Sequence, residues 1–289
     1  MRTAIGVLIV VLLLATIVPA HQDLVTYTDG YSNEFRAYYI PSSAYLKVVS
    51  LGQENFCSDL IFIWAVQFFD QYGAKVRDTY LYHTFDVITD LDPKFNEAYI
   101  FGNLFLSLDK RWDLLYELSD KGLAANGTNW MIAWDAGTYA FFQAKDYDQA
   151  LRFFSIAYER NPKQPMLKDL LANAYKYRGD YETSLLYWRN ILAENEESGT
   201  SQARFFKMAA ERNIFDLTIK IDLRRLGKAI DAYRKRHGVW PLTLGALRTD
   251  GEIASIPVDP TGKPYSYNAR NGRVSCTTPF KFKGKFAKW

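Results

Sequence analysis

The residues best suited to metal or nucleophilic chemistry are three histidines and two cysteines, and their placement argues against both. His21, His83 and His237 lie far apart, with no cysteine or carboxylate company at ligand spacing. Cys57 and Cys276 show no metal-like pattern; they are two unrelated thiols or, in an exported protein, a disulfide. Asp90 and Asp92 flank the end of a predicted helix, where capping or solvation is a simpler role than acid–base work. No glycine-rich phosphate loop and no Gly-x-Ser-x-Gly elbow occurs. The expectation is a protein that is not an enzyme and holds no cofactor or metal. A net charge of +3 is too small to point to nucleic acid. The 48% hydrophobic content is ample for a core, in one or two domains. From Arg270 onward there are six basic residues and no acidic one. Such a tail suits an acidic partner, lipid head groups, or an edge strand guarded by lysines.

An apolar run from Ala4 to Val18, broken only by Gly6 and Thr16, follows Arg2 and leads into Val18-Pro19-Ala20. Residues 1–20 read as a cleaved secretory signal or a short retained anchor, with a buried soluble helix as the remaining reading. Arg2 places the N-terminus in the cytoplasm and the body of the protein outside it. The chain is then inner-membrane anchored and facing the periplasm, or periplasmic if the signal is cleaved. Residues 21–61 form an irregular Tyr-rich lead-in, with a short helix over Ala44–Ser50 and the start of the next helix. That helix, Asn55–Tyr72, is apolar nearly all round, which predicts burial. Its apolar stretch is too short to span a bilayer. Its partner is predicted over Asp78–Thr89, closed by Leu91-Asp92-Pro93.

Asp146-Tyr147 and Asp180-Tyr181 lie 34 residues apart, and this alignment matches Phe141 with Tyr175, Leu151 with Leu185, and Phe154 with Trp188. A 34-residue helix–turn–helix period resembles the tetratricopeptide (TPR) repeat. Carried backwards in register, it gives four units at 62–95, 96–130, 131–164 and 165–198. The second carries Tyr99, Gly102, Phe105, Trp112 and Leu115, and Asn126-Gly127-Thr128 absorbs one extra residue. The fourth departs from the family pattern, with Ser184 in place of alanine and Glu196 in place of proline. The resemblance implies a right-handed TPR-type α-solenoid whose first helices line a groove for a protein or peptide partner. It places Ile132, Asp135, Tyr139 and Phe142, then Met166, Asp169, Asn173 and Lys176, in that groove. The set lacks the Lys and Arg array that clamps a C-terminal carboxylate in some TPR proteins. Exposed helix residues with no partner are the competing reading.

Beyond 198 the period stops. Residues 199–236 are predicted as capping helices, Gln202–Arg212 with Ser201 as its cap, and Asp216–Arg236 ended by Gly238. Leu217, Ile221, Leu226, Ile230 and Tyr233 would share one face of the second. Residues 237–289 hold an Asp259-Pro260-x-Gly262-x-Pro264-Tyr265 string and a hairpin of Tyr265–Asn268 with Arg273–Cys276 across Asn271-Gly272. Phe280, Phe282 and Phe286 alternate with Lys281, Lys283 and Lys285, a half-buried strand pattern. This order resembles the part of type II secretion pseudopilins that follows their membrane segment. Met1-Arg2-Thr3 carries no prepilin motif, the repeats intervene, and no acidic residue follows Asp259 to bind calcium. The fold class expected is mostly α, a TPR-type solenoid with a small α+β C-terminal module. Together the two resemblances imply a scaffold with pilus or secretion components as partners, assembling a type IV pilus or type II secretion-like apparatus. The alternative is a general cell-envelope interaction protein whose C-terminal module only caps the repeats.

Overall fold

The computed structural model describes residues 40–68 and 74–281. Among the described residues the chain is mostly helical, with one two-stranded sheet, and it divides into two compact units, residues 1–126 and 127–289. The apolar run at 4–18, His21, most of the Tyr-rich lead-in, Phe282 and Phe286 lie outside the described residues. Among the described residues, no helix is long and apolar enough to cross a membrane.

The first unit runs through α1 (Ser43–Val49), α2 (Glu54–Phe68), α3 (Ala74–Leu91), α4 (Asn96–Leu108) and α5 (Trp112–Ala125). Helix α3 packs against each of the other four, and its Phe85, Val87, Ile88 and Leu91 are buried. An ionic clamp crosses it: Lys121 Nζ on α5 lies 2.5 Å from Asp86 and 2.6 Å from Asp90. Ser43 Oγ on α1 donates to Asp90 at 2.6 Å. Burial alone would raise the Asp90 carboxyl, but its bonds from Lys121 and Ser43 hold it below the ordinary value. Asp92 accepts from the Lys94 backbone N–H at 2.9 Å, so one carboxylate of the pair is a clamp and the other a turn cap.

Helix α2 corrects the expectation of full burial. Phe56, Leu60, Ile63 and Val66 are exposed, while Ser58 and Ala65 face inward. A helix apolar on all sides has no polar face to turn outward, so small residues decide which side approaches the core. The Ser58 hydroxyl is satisfied by the Ile88 carbonyl at 3.0 Å, and Cys57, Ile61 and Trp64 pack around Ile40, Val87 and Leu91.

The second unit begins with α6 (Met131–Tyr139), prolonged by a π-helical turn at Ala140–Ala144, then α7 (Tyr147–Arg160), α8 (Pro165–Arg178), α9 (Tyr181–Glu194) and α10 (Ser201–His237). From α6 onward each of these helices packs on the next. First helices begin at Asn96, Met131 and Pro165, and second helices at Trp112, Tyr147 and Tyr181, so both series advance by 35 and then 34 residues. The turns repeat as well. Lys110, Lys145 and Gly179 have φ of 56°, 56° and 93°, each just before an N-cap. Asp146 and Asp180 are those caps at the last two turns, accepting from Gln149 N at 3.1 Å and Thr183 N at 3.2 Å. Inside the hairpins the contacts are close. A Cβ added at Gly137 would lie 2.6 Å from the Phe154 ring. Ser184 is fully buried and donates to the Ala172 carbonyl at 2.7 Å, which accommodates its hydroxyl in an apolar setting.

Helix α10 is one 37-residue helix, not the two predicted, and Thr200 rather than Ser201 caps it, accepting from Ala203 N at 3.1 Å. Its halves bury opposite faces. Phe206, Ala210 and Leu217 pack with Trp188 and Ile191 of α9. Leu226, Ala229 and Ile230 pack instead with Leu247, Ile253 and Tyr265 of the C-terminal module. At about 100° per residue the two sets lie roughly half a turn apart on the helix. Leu217 therefore does not share a working face with Leu226, Ile230 and Tyr233.

That module comprises α11 (Leu244–Thr249), β1 (Ser266–Asn268) and β2 (Arg273–Ser275). The strands are antiparallel, with Tyr267 opposite Val274, in the expected pairing but one residue shorter at each outer end. Gly272 takes φ 71°, and a Cβ there would strike Trp240 at 2.5 Å. Residues 276–281 form no strand; Phe280 meets Phe215 of α10 edge-on, ring centroids 5.3 Å apart. The loop ahead of β1 is organised by buried Asp259. Its Oδ1 accepts from Thr261 N, Thr261 Oγ1 and Lys263 N at 2.8, 2.7 and 3.0 Å. Gly262 supplies the left-handed step at φ 84°, and Tyr265 Oη donates to Asp222 of α10 at 2.7 Å.

Candidate functional site

The eight residues placed in the groove from the sequence do not form one surface. Ile132 is fully buried and Asp135 nearly so, so Ile132 belongs to the hairpin core and cannot line a groove. A position within the repeat sets a residue's angle on its helix, but not how far the neighbouring helix overlaps that turn. Tyr139 and Met166 are half-buried. Phe142, in the π-helical turn, is exposed and edge-on to Phe141 at 4.8 Å. Asp169 and Asn173 are bonded to each other, Asn173 Nδ2 donating to Asp169 Oδ1 at 2.7 Å and to its carbonyl at 3.0 Å. Burial raises the Asp169 carboxyl, and the Asn173 amide partly offsets this.

Lys176 reaches furthest toward a site. It lines an open cleft of about 440 Å³ between the end of α8 and the first half of α10, with Phe205, Met208, Ala209, Arg212, Asn213 and Asp216. Helix α8 presents Lys176 because Leu167, Leu171 and Ala174 are buried on its other side. Helix α10 presents its cleft residues because Phe206, Ala210 and Leu217 are held against α9. Lys176 Nζ donates to Asn213 Oδ1 at 2.7 Å. Burial pulls the Lys176 ammonium below its ordinary value; Lys220 lowers it further, Asp216 opposes, and Arg212 adds to the depression. The cleft thus pairs an apolar floor with an excess of positive charge. It suits a segment carrying apolar side chains and a carboxylate.

The six α10 residues of the cleft were missed in sequence because the stretch read as a cap. The available signal was Phe205 and Met208, large apolar residues off the face that carries Phe206 and Ala210. Elsewhere, His83 Nε2 meets the Ile40 carbonyl at 2.9 Å and so carries the proton, a structural bond. His237 Nε2 lies 3.0 Å from Asp250 Oδ1. Both cysteines are free thiols. Among the described residues, no group of three or more His, Cys, Asp or Glu is placed to hold a metal ion.

No protein-family model matches the chain, and no curated protein matches it in sequence.

Proposed function

We propose that this chain is a non-catalytic, exported or membrane-tethered scaffold of TPR-type helical hairpins in a right-handed array. It holds a protein segment in the α8–α10 cleft and serves assembly of a type IV pilus or type II secretion-like apparatus. The observation that carries the binding role is the cleft itself. Lys176 is partly desolvated among Lys220 and Arg212, with Asp216 as the opposing charge, and exposed Phe205 stands beside it. A charge held at that cost is relieved by an incoming carboxylate. The recurrence of helix starts and left-handed turn residues supports the repeat reading. The Asp259–Tyr265 loop leading into a hairpin supports the likeness to the pseudopilin head.

A photocrosslinker at Phe205 tests the binding role in the cells that make the protein, with Leu186, exposed on α9, as the control position. The expected result is a discrete adduct with an apparatus component at 205, lost in Lys176→Glu/Arg212→Glu and absent at 186. Identical adducts at both positions would falsify a dedicated cleft.

The module's cover over Leu226, Ala229 and Ile230 favours a second reading, in which residues 237–289 only cap the helices. Truncation before Gly238 separates the two. Retained crosslinking at 205 with the α6–α9 melting transition intact supports the scaffold, since the cleft lies wholly before residue 238, and collapse of that transition supports the cap.

A further inference from the structure

The small net charge hides a strong polarity. Residues 199–289 hold 18 basic and 7 acidic residues, a net charge of +11, whereas residues 1–198 hold 17 and 25, a net charge of −8. Along α10 the exposed cations Lys220, Arg224, Lys228 and Lys235 lie on one side of the helix. Arg224 is committed to the Gly179 carbonyl at 2.9 Å and to the Tyr181 ring, and Arg236 to Asp250 and Glu252. Arg225, Lys228, Lys235 and Arg248 are exposed, and their side chains make no hydrogen bond or ion pair among the described residues. Immediately past the last basic turn, Leu242 is 85% and Val239 61% exposed. The backbone between them is anchored. The Trp240 ring lies under the Arg234 guanidinium at 4.0 Å and against the Gly272 turn, and the Pro241 carbonyl accepts from Tyr267 Oη at 2.8 Å. An anchored loop that keeps two aliphatic side chains in water, beside unpaired cations, is built to meet something apolar beneath something anionic.

We propose that this tip and the adjoining α10 face dock on an anionic lipid surface. Leu242 and Val239 would enter the interfacial region while Arg225, Lys228, Lys235 and Arg248 meet the head groups. A bilayer accepts a protruding apolar side chain without a matching recess, and its mobile anionic lipids gather under scattered cations. This contact is separate from the cleft and from residues 1–20, and it gives the C-terminal module its own hold on the membrane.

Vesicle co-sedimentation of the full chain tests it, using vesicles of about one-third phosphatidylglycerol in phosphatidylcholine and vesicles of phosphatidylcholine alone. The wild type is expected to bind the anionic vesicles at least roughly ten-fold more tightly and to release in high salt. Lys228→Gln/Lys235→Gln should weaken binding on the order of 25-fold on anionic vesicles only, at about five-fold per cation. Val239→Ser/Leu242→Ser should weaken it roughly ten-fold or more on the same vesicles. All four side chains are exposed, so unchanged melting curves verify the fold. Equal binding to both vesicle types, or wild-type binding by both double variants, overturns the proposal and leaves residues 1–20 as the sole membrane contact. Wild-type vesicle binding by both variants with affinity for polyglutamate lost only in the lysine pair assigns the face to an acidic protein.

Discussion

Lys145 sits at φ 56°, where its counterpart one repeat later is Gly179 at φ 93°. A side chain in the left-handed region is strained against its own backbone, and glycine relieves this. Lys145→Gly is therefore expected to stabilise the second unit by roughly 0.5–1 kcal/mol, read as a rise in melting temperature. Gly137 gives the opposite sign to intuition. Alanine is the better helix former by about 1 kcal/mol, yet its Cβ would meet the Phe154 ring at 2.6 Å. Overpacking costs about 1–3 kcal/mol, so Gly137→Ala should lower the denaturation midpoint. Asp259 sets an acid limit. Its bond from Thr278, then those from Thr261 and Lys263, hold the carboxyl far below the ordinary range against the opposing effect of burial. A depressed carboxylate contributes stability above its unfolded value near ~3.9, and that contribution is lost as pH falls through the lower folded value. Near-ultraviolet circular dichroism of the module should thus fade below about pH 4, and Asp259→Asn should flatten that limb. Of these residues the sequence marked Asp259 and Gly262 through their loop string. It marked Lys145 only through register, one repeat before Gly179, because lysine itself carries no signal for positive φ.

The elements were legible where one apolar face persists along a whole helix. The hairpins of α6 with α7 and α8 with α9 keep such faces, and Asp146 and Asp180 announce the second helix of each. Trp188, 1% exposed among Ile191, Phe206 and Leu217, is the anchor of the last hairpin. Trp188→Ala should cost about 3–5 kcal/mol, measurable by chemical denaturation. Two elements were misread for physical reasons. Helix α2 gives no polar side to orient it, so its burial rests on Ser58 and Ala65, which composition does not reveal. Helix α10 changes its buried face between Leu217 and Leu226, and a change of face reads in sequence as a break between two helices.

At the scale of the molecule, the two units differ in what they expose. The first turns an apolar side of α2 to solvent, and the second offers a cationic cleft, a basic helix face and an aliphatic tip. The cleft was half legible. Lys176 followed from the repeat register, whereas Phe205 and Arg212 required knowing that α10 begins as one more helix of the series before it becomes the support of the module.

Because α10 serves two cores in succession, it behaves as a shaft about 55 Å long whose angular setting fixes how the cleft and the basic face are turned about its axis. One alanine inserted between Leu217 and Arg224 would rotate everything beyond it by about 100°. That separates Arg224 from Gly179 and Phe280 from Phe215, contacts present at 2.9 Å and 5.3 Å. The melting curve should then split into two transitions. An insertion of about seven or eleven residues returns the rotation to near zero but carries the module about 10–17 Å along the axis, so those contacts stay broken while the cleft and the basic face keep their angular relation. Relatives of this chain are accordingly expected to differ in this stretch by those steps and no others, so that its length is counted in phase rather than in distance.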